Sequence, residues 1–154
     1  MAQINVSQLL QSPIGSVREY TINEITDIGY GDNLIKGEAT LTRTDRSIFV
    51  KVNLEITIEL TCSRCLSPFN VSLKLNIEEE YFPTTDIMTG TIPSAPDEPG
   101  SFTIDEHNIL DLTEATRQYT LLAIPMKPLC RDNCAGLCPA CGQNLNQAVC
   151  NCPP

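Results

Sequence analysis

The sequence predicts an α+β fold: an antiparallel β-sheet meander packed by one main α-helix, followed by a small cysteine-rich C-terminal module. Three observations lead there. Two long runs of strict apolar–polar alternation flank the motif Cys62-Ser-Arg-Cys65, a single stretch of helical spacing lies near residues 111–124, and six of the eight cysteines fall between positions 130 and 152. At 154 residues the chain suits one domain with a real core, because a chain of about 150 residues buries roughly 68–70% of its unfolded surface.

Residues 1–30 carry the weakest pattern. Ile4, Val6 and Leu9 suit a first strand and Tyr20 and Ile22 a second, with Pro13 and Gly15 turning between them. From Leu34 onward Ile35, Ala39 and Leu41 oppose Lys36, Glu38, Thr40 and Thr42, the period-2 sign of a half-buried strand. A polar turn at residues 44–47 precedes the clearest element, where Val50, Val52, Leu54, Ile56, Ile58 and Leu60 alternate with Lys51, Asn53, Glu55, Thr57 and Glu59. Beyond Pro68 the alternation resumes at Phe69, Val71, Leu73, Leu75 and Ile77. One-faced alternation suits antiparallel sheet with a wet side, so three or more strands in a meander are expected. Glu78, Glu79 and Glu80 read as the frayed, solvated end of the last strand. Residues 83–103, rich in proline, glycine and acids, read as a long mobile loop.

The helix is expected to start at Asp111 as N-cap, with Glu114 returning to the cap N–H in a capping box. Leu112, Ala115, Tyr119, Leu122 and Ala123 follow at helical spacing as a core stripe, and Pro125 bars continuation. The expected organisation is a β-rich body over 1–129 and a cysteine module over 130–154 packed on the 62–65 hairpin.

Net charge is −9, and its distribution matters more than its size. Residues 1–82 hold 11 acids and 7 bases, residues 83–124 hold 7 and 1, and residues 125–154 hold 1 and 2. No strongly basic segment is available to follow a phosphate backbone. No apolar run approaches the roughly 18 residues of a membrane span, and the N-terminus does not read as a secretion signal. A reducing, cytoplasmic setting is expected, which favours metal ligation over disulfides for closely spaced cysteines.

Cys138-Pro-Ala-Cys141-Gly142 has the form of a zinc knuckle: two thiolates three positions apart converge on one ion, and glycine takes the backbone conformation that side chains resist. Cys150 and Cys152 return after eight residues and complete four ligands. Those last four would make the C-terminal module zinc-ribbon-like, and Cys130 and Cys134 then join Cys62 and Cys65 in another zinc site. Spacing alone also permits Cys134 and Cys138 to trade places. A redox Cys-x-x-Cys belongs at a helix N-terminus in a βαβ unit, whereas Cys62 and Cys65 lie between strands. The gaps also miss the ferredoxin spacing of iron–sulfur proteins. The only histidine, His107, stands far from every cysteine in sequence, and no nucleophile or phosphate-binding motif appears, so no enzyme and no small-molecule substrate is expected.

The runs LTCSRCLSPF (60–69), IEEEYFP, DLTEATRQYTLLAIPMKPLC and GLCPACGQNLN with the closing CNC together resemble the YceD family of bacteria and plastids. The resemblance covers nearly the whole chain, is weaker before Leu34 and does not extend over 84–103. It implies a part in accumulation or processing of large-subunit ribosomal RNA, hence ribosome biogenesis; genes of the family often neighbour that of a small large-subunit ribosomal protein. It also implies a grouping of the cysteines, because members without the CPxCG…CxC section keep the hairpin CxRC and a pair matching Cys130 and Cys134. Three roles are weighed against it. An acidic adaptor would bind a basic ribosomal or assembly protein. A direct RNA binder would use Arg64, Lys127 and Arg131, which otherwise serve as cations compensating a tetrathiolate. A thiol oxidoreductase would use Cys62 and Cys65.

Overall fold

The computed structural model describes residues 3–29, 31–84 and 102–152. Four long strands form the meander: β2 (Val17–Asp27), β3 (Asp32–Arg43), β4 (Ile48–Thr61) and β5 (Pro68–Pro83). They follow a short strand, β1 (Gln3–Asn5), and a short helix, α1 (Ser7–Gln11). After them come β6 (Phe102–Ile104), β7 (Ile109–Asp111) and the longer helix α2 (Thr113–Ala123). Among the described residues the main sheet has the order β2-β3-β4-β5-β6, antiparallel except for β6, which runs parallel to β5; β1 and β7 pair in a second, two-stranded sheet. Among the described residues the architecture is thus mostly β with two helices, and the principal sheet is mixed.

The long alternating runs become β3, β4 and β5. Ile35, Ala39 and Leu41, then Val50, Val52, Leu54, Ile56 and Ile58, and then Leu75 and Ile77 all turn inward and lose nearly all exposure. Their register is continuous from Thr61↔Pro68 to Ile48↔Tyr81, so β4 lies at the centre of the core with a strand on each side. A one-residue slip would turn that whole apolar row to water, which is why alternation of this length fixes the pairing.

Four expectations require correction. Leu9 does not continue a strand: Asn5 Oδ1 accepts the Ser7 N–H at 3.0 Å, and this turn sends the chain into α1, which buries Leu9. The triplet Glu78–Glu80 is not frayed, because β5 continues to Pro83. Glu79 is half-buried and accepts the Tyr119 hydroxyl at 2.8 Å, while Glu78 faces Lys51 at 3.7 Å. The inward row Ile77–Glu79–Tyr81 simply carries the alternation on, and Tyr81 is buried and stacked on Phe102 with ring centroids 5.2 Å apart.

The helix start also differs. Asp111 closes β7, and its Oδ1 accepts the Thr113 N–H at 2.8 Å, while Glu114 pairs with Arg117 and Gln118 instead of returning to a cap. Finally, the buried stripe of α2 is Ala115, Thr116 and Thr120 behind Leu112; Leu122 is 83% exposed and Ala123 is also exposed. Small side chains let α2 sit close on β5, and Thr120 returns its hydroxyl to the Thr116 carbonyl at 2.7 Å, which makes burial tolerable. Of the expected proline-rich loop, residues 85–101 lie outside the described residues; Pro83 ends β5, and Phe102 and Thr103 belong to β6.

Candidate metal centres

The β4–β5 turn presents the first two sulfurs. Cys62 N–H donates to the Ser67 carbonyl at 2.9 Å, Leu66 N–H donates to the Cys62 carbonyl at 2.9 Å, and Leu66 takes φ 60°. The same pattern recurs 76 residues on, where Cys138 N–H donates to Gln143 O at 2.8 Å, Gly142 N–H to Cys138 O at 2.9 Å, and Gly142 takes φ 77°. The two Cys-x-x-Cys turns are therefore one backbone device used twice. Only the second places glycine at its left-handed position. Leu66 is 63% exposed and has little packing to lose, so Leu66→Gly is expected to stabilise the protein by about 1 kcal/mol, read as an upward shift in the denaturation midpoint.

Hydrogen bonds bring the chain after α2 onto the first turn. Ser63 N–H and Oγ both donate to the Pro128 carbonyl, at 2.8 and 2.9 Å, and Arg64 Nη1 donates to the Cys134 carbonyl at 3.0 Å. Gly136, at φ 81°, lies against Arg64; a Cβ there would stand 3.5 Å from the Arg64 carbonyl oxygen. Cys62, Cys65, Cys130 and Cys134 consequently converge, as do Cys138, Cys141, Cys150 and Cys152; within each group all four sulfurs lie within 4.8 Å of one another. Of the two allocations that spacing allowed, this is the one with Cys134 in the first group.

The donor set fits zinc. A tetrahedral ion with sulfur at about 2.3 Å requires sulfurs about 3.8 Å apart, and Cys62–Cys134 and Cys65–Cys130 both stand at 3.7 Å. That is far longer than a disulfide bond, and all eight cysteines are free. The first group is enclosed: Cys62, Cys65 and Cys134 are at most 5% exposed and pack with Phe69, Leu129 and Leu137. The second is more open, with Cys138 buried, Cys150 and Cys152 half-buried and Cys141 exposed.

Electrostatics within each group point the same way. The Cys65 backbone N–H, helped by those of Cys130 and Arg64 and opposed by burial, holds the Cys62 thiol down at about 5. The Ser67 hydroxyl and N–H lower Cys65. Burial and the neighbouring thiols, Cys65 foremost, push Cys130 up to about 12. In the second group the N–H groups of Cys141 and Ala140 bring Cys138 down to about 6. At Cys150 the Cys152 N–H acts to lower the thiol, but Cys138 and burial together outweigh it and the thiol is raised. Amide dipoles thus favour the Cys62, Cys65 and Cys138 thiolates, while neighbouring thiols and burial oppose ionisation of Cys130 and Cys150; a divalent cation at the centre would relieve that conflict.

The predicted cations divide in role. Arg64 is tied to the Cys134 carbonyl, whereas Lys127 and Arg131 are exposed on the segment that these bonds hold against the turn. His107 pairs with Glu106 at 3.5 Å and is not among the grouped residues. Sequence reasoning missed Ser63, Ser67 and Asn146. Asn146 Nδ2 donates to Cys134 Sγ at 3.2 Å. The only signal for it is the run of amide side chains between Cys141 and Cys150.

Among the described residues no helix is long and apolar enough to cross a membrane. Two uncharacterized proteins of Mycobacterium tuberculosis strains and one of Mycobacterium bovis are each 36% identical to this chain over 84 residues. The match takes in 54% of this chain and 38% of each relative, so the chain spans well under half the length of the curated relatives it matches. No solved structure matches. A family model described as large ribosomal RNA subunit accumulation protein YceD matches residues 50–154, more than half of the chain and including both four-sulfur groups. The chain belongs to the YceD family.

Proposed function

We propose that this chain is a non-enzymatic, zinc-stabilised factor of ribosome biogenesis. It supports large-subunit ribosomal RNA accumulation in the cytoplasm by holding a basic ribosomal or assembly protein. The observation that carries the reading is the family match over residues 50–154, whose span includes both sulfur quartets. Four protein thiolates fill a tetrahedral ion's coordination and leave no position for water or substrate, the mark of a structural rather than a catalytic zinc. Bound there, zinc supplies a rigid cross-link between the β4–β5 turn and the segment after α2; the residues themselves hold it through Cys62, Cys65, Cys130 and Cys134, and through Cys138, Cys141, Cys150 and Cys152. Burial of Cys62 and Cys65 within the first quartet also argues against thiol exchange, which needs an accessible thiolate.

The charge pattern supports a protein partner. The solvent side of the meander exposes Glu19, Glu38, Glu55, Glu59, Glu78 and Glu80 against Lys36, Lys51 and Lys74. That balance repels a phosphate backbone and speeds encounter with a basic protein. Direct RNA contact through Arg64, Lys127 and Arg131 is the second reading, favoured by the bonds that gather these residues at one end of the molecule.

The test is binding of the purified chain to purified large-subunit assembly intermediates and to their extracted RNA. Capture of a basic protein that is lost in moderate salt is the expected result. Tight binding to the RNA alone, abolished by Arg64→Ala with Lys127→Ala and Arg131→Ala, would replace the adaptor reading with the second.

A further inference from the structure

We propose that the two four-sulfur centres are energetically coupled, and that Asn146 is the positioning residue that links them. It stands on the loop between ligands of one centre and bonds a ligand of the other. The inference rests on the two-zinc reading above and goes beyond it.

Asn146 lies between Cys141 and Cys150, both of the second group, yet its Nδ2 donates to the sulfur of Cys134, a member of the first, at 3.2 Å. The orientation of the amide is fixed by its other end. Asn146 Oδ1 accepts the Ala135 N–H at 2.8 Å, and since only the oxygen of an amide accepts, the NH₂ must face the sulfur. A donor in that place orients the lone pairs of the Cys134 sulfur and holds it in position as a ligand.

The backbone around Asn146 is built to hold it there. Asn144 Oδ1 accepts the Asn146 N–H at 3.0 Å, and Asn144 O accepts the N–H groups of Gln147 and Ala148 at 3.1 and 3.2 Å. Leu145 N–H donates to the Gly136 carbonyl at 2.9 Å, and Asn144 forms a bridge with Leu137. The turn therefore rests on residues 134–137 instead of projecting into solvent. An ion in the second group pins both ends of this eight-residue segment between Cys141 and Cys150. That pinning removes loop freedom before Asn146 bonds Cys134. The first centre then meets a donor already in place. Because such coupling is reciprocal, an ion in the first centre equally favours binding at the second.

The experiment uses the full chain, stripped of metal. It is titrated with zinc against a chromophoric chelator, and separately with cobalt(II), whose thiolate absorption reports the surroundings of the sulfurs. Wild type is expected to take up two ions. Asn146→Ala is expected to weaken the first centre about tenfold. Cys150→Ser with Cys152→Ser, which disables the second centre, is expected to weaken the first by a similar factor, and adding Asn146→Ala to that pair is expected to cost little more. Asn146→Asp keeps the shape and the acceptor for Ala135 N–H but turns oxygen toward sulfur. It is expected to weaken the first centre further than alanine and to shift the cobalt absorption, with the circular dichroism of the sheet unchanged. First-centre affinity unchanged by both Asn146 substitutions, or losses that simply add in the combined variant, would overturn the coupling and leave the two-zinc reading intact. Failure of wild type to bind two ions would overturn that reading itself.

Discussion

Replacing Cys62 and Cys134 together by serine is expected to lower the stability of the zinc-loaded protein by about 4 kcal/mol. These two residues are 72 positions apart, and their sulfurs stand 3.7 Å from one another. Tying such distant positions removes far more freedom from the unfolded chain than a local link does. The second quartet spans only residues 138–152, and by the same reasoning Cys150→Ser with Cys152→Ser costs about 3 kcal/mol. The comparison is read from denaturant unfolding of the two variants in excess zinc. A larger loss from the second quartet than from the first would contradict the assignment of the first as the clip that closes the fold.

Gly37→Ala is expected to destabilise the protein by about 1–3 kcal/mol. Gly37 pairs with Leu54 of β4 and Ile22 of β2 in the interior of the sheet. A Cβ built on it would stand 2.0 Å from the Asn53 carbonyl oxygen and 2.9 Å from the Leu54 Cα. Those are backbone atoms of the central strand and have no rotamer to escape into, so β3 and β4 must separate locally. Faster hydrogen exchange at the amides of residues 52–56 is the accompanying sign; wild-type exchange and an unshifted midpoint would show that the strands accommodate the methyl group.

Much of this fold was legible because its signals are repetitive. Val50 through Ile58 alternate without a break, and a period of two over that length admits one face and one register. The cysteine grouping was legible in pairs, since each Cys-x-x-Cys or close pair converges locally, but joining the pairs required the contacts from Ser63 to Pro128 and from Arg64 to Cys134. Where single residues decide the outcome, sequence reading failed. Asn5 redirects the chain into α1 through one side-chain bond, so Leu9 enters a helix. Asp111 serves both as the last residue of β7 and as acceptor for Thr113, a dual role that a capping-box pattern hides. Leu122 sits at core spacing and is exposed, because α2 contacts β5 through its small residues. Asn146 was not legible at all, since its partner Cys134 is fixed by tertiary structure.

The most direct test of the central claim is the zinc content per chain of protein prepared under reducing conditions. Two ions are expected for wild type, one for the Cys62→Ser, Cys134→Ser variant and one for the Cys150→Ser, Cys152→Ser variant, each with the sheet's circular dichroism retained. A wild-type content of one ion or none, or two ions surviving in either variant, would contradict the division of the eight cysteines into two tetrathiolate centres.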